Sequence, residues 1–153
     1  MSGHDPKTDD QLALRRREAI NTAILYAYVA IGSVLGGSAR YLASVLLQSA
    51  DHGFPWATLF VNVTGSFVIG FYAAITGSDG RIFASARQRQ FVMTGFCGGY
   101  TTFSAFSLET FQFIRGGHIS TGLLNILVSI VAWLIAVWLG YAIATRLNRL
   151  KGS

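Results

Sequence analysis

Four stretches of this chain contain no Asp, Glu, Lys or Arg: residues 19–39, 52–78, 90–108 and 116–145, of 21, 27, 19 and 30 residues. The hydrocarbon core of a bilayer is about 30 Å thick and takes roughly 20 helical residues to cross, at about 1.5 Å each. Each run is long enough for one crossing, and four crossings consume most of the 153 residues. No soluble catalytic domain fits in what remains. Composition points the same way. Only 12% of residues are charged, against roughly a quarter in a soluble domain, and 17 of 153 are glycine, above the usual share of about 7%.

The net charge of +5 does not indicate nucleic acid, because the basic residues sit at the ends of the runs and not along one helical face. They read as topology signals. With four spans, the N-terminal segment, the middle loop and the C-terminal segment share one side, and they hold Lys7, Arg15, Arg16, Arg17, Arg81, Arg87, Arg89, Arg146, Arg149 and Lys151. The other side has Arg115 alone. Leaving Arg40 within the membrane, the ratio is 10 to 1, which places both termini in the cytoplasm. The single Cys97 lies inside a run and excludes a disulfide framework or a cysteine metal site within one chain. The first run exceeds a signal peptide's apolar core and closes on no small-x-small cleavage site, so it is read as a span.

The expected organisation is a mobile N-terminal tail over 1–18, a four-span all-α membrane domain over 19–147 and a basic tail over 148–153. The spans are expected at about 24–47, 55–76, 88–113 and 119–145. Pro55 suits the first turn of the second, and SADHGF and GSDGR are polar turns between spans. In the third, adjacent glycines and adjacent threonines in GFCGGYTTFSAFS disfavour an unbroken helix. Gly32-x-x-x-Gly36 and Gly95-x-x-x-Gly99 allow close backbone approach, either within one protomer or between two.

Polar groups inside a membrane are costly and mark function or structural bonding. Asn62 can bond a neighbouring helix or offer its NH2 to an anion. Arg40 can snorkel to the interface or set a positive potential at an entrance. Glu109, the only acid within a span, reads first as a solvated carboxylate. Thr58 and Ser129 can return their hydroxyls to the preceding turn of their own helices. Should the helix break at Gly98, Gly99 and Tyr100, carbonyls at membrane depth would need protein, water or a hard cation such as Na+. Phe103 and Phe106 share one helical face, where their electropositive ring edges can meet an anion or simply pack. The histidines, His4, His52 and His118, have no metal-ligand grouping.

TGFCGGYTTFSAFSLET, Thr94 to Thr110, resembles the central signature of the Fluc (CrcB) fluoride channels. GGSARY, Gly36 to Tyr41, resembles the family's first-span motif, and ATLFVNVTGSFVIG, Ala57 to Gly70, its second. The likeness covers about residues 24–147 in the right order. It implies an antiparallel dimer of the dual-topology type in a bacterial inner membrane, with a structural Na+ at the centre held by the Gly98 and Thr101 carbonyls of each protomer. It also implies two narrow fluoride paths. Phe103 and Phe106 match the paired phenylalanines that face fluoride, Asn62 the pathway asparagine and Arg40 the first-span arginine, with Thr58, Ser129 and Glu109 at further polar positions.

The implied function is fluoride export and resistance, not enzymatic turnover. Fluoride is small and strongly hydrated, so a path must replace its water with many weak donors. HF enters neutral and ionises inside, and the membrane potential expels the anion at about 2.3 kcal/mol per charge per 100 mV. The charge bias leaves two assemblies open: an antiparallel homodimer, or a heterodimer with an inverted paralogue. Two other readings compete. A small four-span multidrug-type exporter usually needs an acid deep in its first span, and residues 19–48 hold none. A non-transporting membrane scaffold would use glycine and phenylalanine for packing alone.

Overall fold

The structure, a computed structural model, describes residues 6–47, 53–78 and 80–150. Residues 1–5 of the expected N-terminal tail, residues 48–52 of the first turn and residues 151–153 of the C-terminal tail lie outside the described residues. Every regular element among the described residues is helical. In order these are α1 (Pro6–Leu47), α2 (Trp56–Ile75), α3 (Ala86–Gln90), a π-helical stretch (Phe91–Cys97), α4 (Gly98–Tyr100), α5 (Phe103–Arg115) and α6 (Ile119–Arg149).

Three helices are long and apolar enough to cross a membrane: Asp10–Leu47, Trp56–Ile75 and Ile119–Arg149. The region of the expected third span is subdivided, and none of its helices reaches that length. Helical backbone runs from 86 to 100, Thr101 and Thr102 are extended, and α5 follows. The interruption therefore lies at Thr101–Thr102, while Gly98–Tyr100, where the sequence suggested it, are helical. The N-terminal boundary also differs. Residues 6–18 were expected as a tail but form helix continuous with the first span. Likewise α6 runs on to Arg149, past the expected end near 145.

Glycine placement determines which helices pair. A Cβ on Gly32 would stand 2.5 Å from the Phe91 carbonyl oxygen, one on Gly36 would overlap the Phe96 carbonyl, and one on Gly95 would stand 2.8 Å from the Val29 carbonyl. A Cβ on Gly99 would overlap the Ser33 carbonyl. The two small-x-x-x-small motifs thus mesh with each other inside one protomer and bring α1 onto the π-helical stretch and α4. Gly70 and Gly140 do the same for α2 and α6, against Val137 and Phe67. A wide π turn is a recurrent feature near functional sites; this one carries Gly95 into the contact with α1 and places Cys97 on the groove.

One end of the bundle is tied by hydrogen bonds. The Asn148 amide donates to the Ala74 carbonyl at 2.9 Å and accepts from the Arg81 backbone at 2.9 Å. Arg89 donates to the Thr76 hydroxyl at 2.6 Å and to the Thr76 carbonyl. These bonds add partners to the carbonyls at the end of α2, with a cation where the helix dipole favours one. Arg87 reaches Asn21 on α1 at 2.9 Å. Ser85 and Gln88 form a reciprocal capping box that starts α3. Around the sides, Leu46, Leu134 and Trp138 are among many exposed large apolar residues, an exterior suited to lipid.

Candidate functional site

Asn62 faces the extended pair Thr101–Thr102 from α2. Its side-chain Nδ2 donates to the Thr102 carbonyl at 2.9 Å, and its Oδ1 accepts from the Thr102 amide at 2.7 Å. One buried amide therefore satisfies both backbone groups of a residue that has left the helix. Thr102 is also the N-cap of α5, its hydroxyl accepting from the Ala105 amide at 3.1 Å. The Gly98 and Thr101 carbonyls are among those that lose their usual partners at this interruption. In a continuous helix the Gly98 carbonyl would receive the Thr102 amide and the Thr101 carbonyl the Ala105 amide. Those amides go to Asn62 and to the Thr102 hydroxyl instead. The Thr101 amide and hydroxyl both reach back to the Cys97 carbonyl, at 2.9 and 2.8 Å.

From this turn a file of polar groups runs along α5. Thr58 donates to Glu109 Oε1 at 2.6 Å. On the neighbouring face of α5, Thr110 Oγ1 accepts from Asn125 Nδ2 at 2.9 Å, and Ser129 approaches Asn125 Oδ1 at 3.4 Å. Thr102 and Glu109 are seven residues apart in the chain, about 10 Å along a helix. Between these levels stand the aromatic groups. Phe106 is 6% exposed and Phe103 is 72% exposed, with ring centroids 5.6 Å apart. Trp133 on α6 meets Phe106 edge to face, with centroids 4.9 Å apart at 74°. A groove of about 290 Å3 opens beside them, lined by Asn62, Gly98, Thr101, Thr102, Phe103 and Trp133 among others.

The sequence-predicted residues thus divide. Asn62, Gly98, Thr101 and Phe103 share the groove, and Thr58, Glu109 and Phe106 continue the α5 file. Thr58 bonds Glu109 and not its own helix, and Glu109 is half-buried against Thr58 instead of freely solvated. Its Oε2 is buried without a partner among the described residues. Ser129 is 1% exposed and turns to the Asn125 side chain. Arg40 lies apart from the groove's lining, half-buried on α1, its Nε without a partner among the described residues. Sequence reasoning missed Thr110, Asn125 and Trp133. Asn125 carried the same signal as Asn62, an amide deep in an uncharged run.

Residues 27–141 match the family described as CrcB-like protein, Camphor Resistance (CrcB). Over 137 residues the chain is 68% identical to fluoride-specific ion channel FluC 1 of Rhodopseudomonas palustris (strain BisB18), covering 89% of this chain and 97% of the relative. It is 57% identical over 136 residues to fluoride-specific ion channel FluC 1 of Bradyrhizobium diazoefficiens, covering 89% and 95%. A third relative, fluoride-specific ion channel FluC of Opitutus terrae, is 48% identical over 130 residues, covering 84% and 98%.

Proposed function

The chain belongs to the CrcB-like family, and from that premise we propose that it is a fluoride-specific channel by which the anion leaves the cell. The observation that carries this reading is its 68% identity, across nearly the whole of both chains, to a relative named for fluoride conduction. The site gives it a physical form. Asn62, the hydroxyls of the α5 file and the phenylalanine edges offer weak, neutral contacts, enough to replace water around a small anion without holding it. Fluoride released when HF ionises inside is driven out by the membrane potential, so no energy-coupling site is needed.

The assembly we infer is two oppositely inserted copies, or one copy with an inverted paralogue, in a bacterial inner membrane. The support is Phe103, a pathway residue that lies 72% exposed in a groove on one protomer. In this assembly the divided segment from 86 to 115 completes a fourth crossing. The carbonyls of Gly98 and Thr101, with their helical amides diverted, are oxygen donors of the kind a hard cation takes. A Na+ held there by both copies would supply fixed positive charge that balances these dipoles and joins the protomers.

Growth tests the function directly. A bacterium stripped of its own fluoride export is expected to grow on inhibitory fluoride when it expresses this chain. Phe103→Ile and Phe106→Ile should each abolish the protection while the protein remains in the membrane. Protection that survives both substitutions would remove the phenylalanines from the path, and no protection by the unsubstituted chain would favour the scaffold reading.

A further inference from the structure

Trp133 is the fifteenth of the 31 residues of α6, about 20 Å from either end at 1.5 Å per residue. Tryptophan in membrane proteins gathers at the two interfaces, where its N–H meets water or headgroups. Trp138, five residues on, stands exposed on the outer surface, whereas Trp133 is half-buried and lines the groove beside Asn62, Thr102 and Phe103. Its Nε1 is buried and has no partner among the described residues. At this depth there is no bulk water to compensate an unpaired donor, so the group requires a partner. Phe106, itself 6% exposed, packs on the indole at 4.9 Å and holds the ring in place.

The chemistry of the group narrows the partner. An indole nitrogen donates and cannot accept, so it serves an anion or a carbonyl and never a cation. It is neutral, so it strengthens contact with a passing anion without a fixed charge that would trap it. Resting on the fluoride-channel reading, we propose that the Trp133 Nε1–H is a ligand of the conduction path, donating a hydrogen bond to fluoride within the groove. A small, hard anion gains most from such a bond, and the donor thereby favours fluoride over chloride.

The test uses the full chain labelled with 15N-tryptophan in lipid nanodiscs, with Trp133→Phe identifying the signal. The indole proton resonance of Trp133 should move downfield on adding sodium fluoride and stay in place with sodium chloride. Fluoride efflux from liposomes should fall about tenfold or more in Trp133→Phe, the scale of one hydrogen bond to an ion. The same loss is expected when Trp133 is replaced by its isosteric sulfur analogue, which preserves the packing on Phe106 and lacks only the N–H. An indole signal unmoved by fluoride would assign the donor to the Phe106 ring face or to a carbonyl of a second copy, and would overturn the proposal. So would unimpaired efflux in either variant. Absence of fluoride efflux from the unsubstituted chain would overturn the channel reading itself, and this inference with it.

Discussion

Asn62 shows how one side chain determines the local backbone. Both bonds it makes are to Thr102, forty positions away in sequence. Asn62→Leu would leave the buried Thr102 N–H unpaired, costing about 1–3 kcal/mol, while the Thr102 carbonyl, at the N-cap of α5, keeps its helical partner. We expect fluoride efflux to fall at least about tenfold and the unfolding midpoint in detergent to drop, both read against the unsubstituted chain. That Asn62, Thr58 and Glu109 place polar groups at membrane depth was legible in the sequence, because such groups stand out within expected spans. Their partners were not. Thr58 meets Glu109 across 51 positions, a pairing that only tertiary packing creates. Asn125 was legible by the same rule but sits among LLNILVS, with no motif to single it out.

At the scale of elements, the interruption in 86–115 is set by competition for amides. Thr102 takes the Ala105 amide as N-cap and gives its own to Asn62. Thr102→Val removes the cap acceptor and should destabilise by about 0.5–2 kcal/mol, whereas Thr102→Ser should behave almost as the natural residue in the same melting experiment. The doubled glycines and threonines pointed to this neighbourhood. They did not distinguish Gly98–Tyr100 from Thr101–Thr102, because glycine's low helix propensity yields when a neighbour packs on it, as Ser33 does on Gly99. Glycines on α1 and α4 then make opposite predictions. Gly99→Ala drives a methyl into backbone and should destabilise by about 1–3 kcal/mol. Gly37→Ala meets nothing within 4 Å and should stabilise by about 0.5–1 kcal/mol. Equal effects of the two in thermal unfolding would contradict the packing described.

For the whole molecule, the uncharged runs anticipated helices over about 24–47, 55–76 and 119–145, because span length follows directly from bilayer thickness. They did not reveal that α1 starts at Pro6, since mixed-charge residues such as those of 6–18 carry no hydropathy signal and propagate helix from the span behind them. Three basic residues of the middle loop are tied to neighbouring helices. Arg87 reaches α1, and Arg81 and Arg89 are fixed by Asn148 and Thr76 at one end of the bundle. A reporter fused to the C-terminus should show both cytoplasmic and external populations if two copies of this chain pair in opposite orientations. One orientation alone would point to an inverted paralogue as the partner. The most direct measurement is fluoride efflux from liposomes holding this purified chain, followed with a fluoride electrode while valinomycin and K+ balance the charge. Rapid fluoride loss with chloride retained is the result expected of a fluoride channel. Fluoride that stays inside, even after an oppositely inserted relative is reconstituted alongside, would contradict that reading.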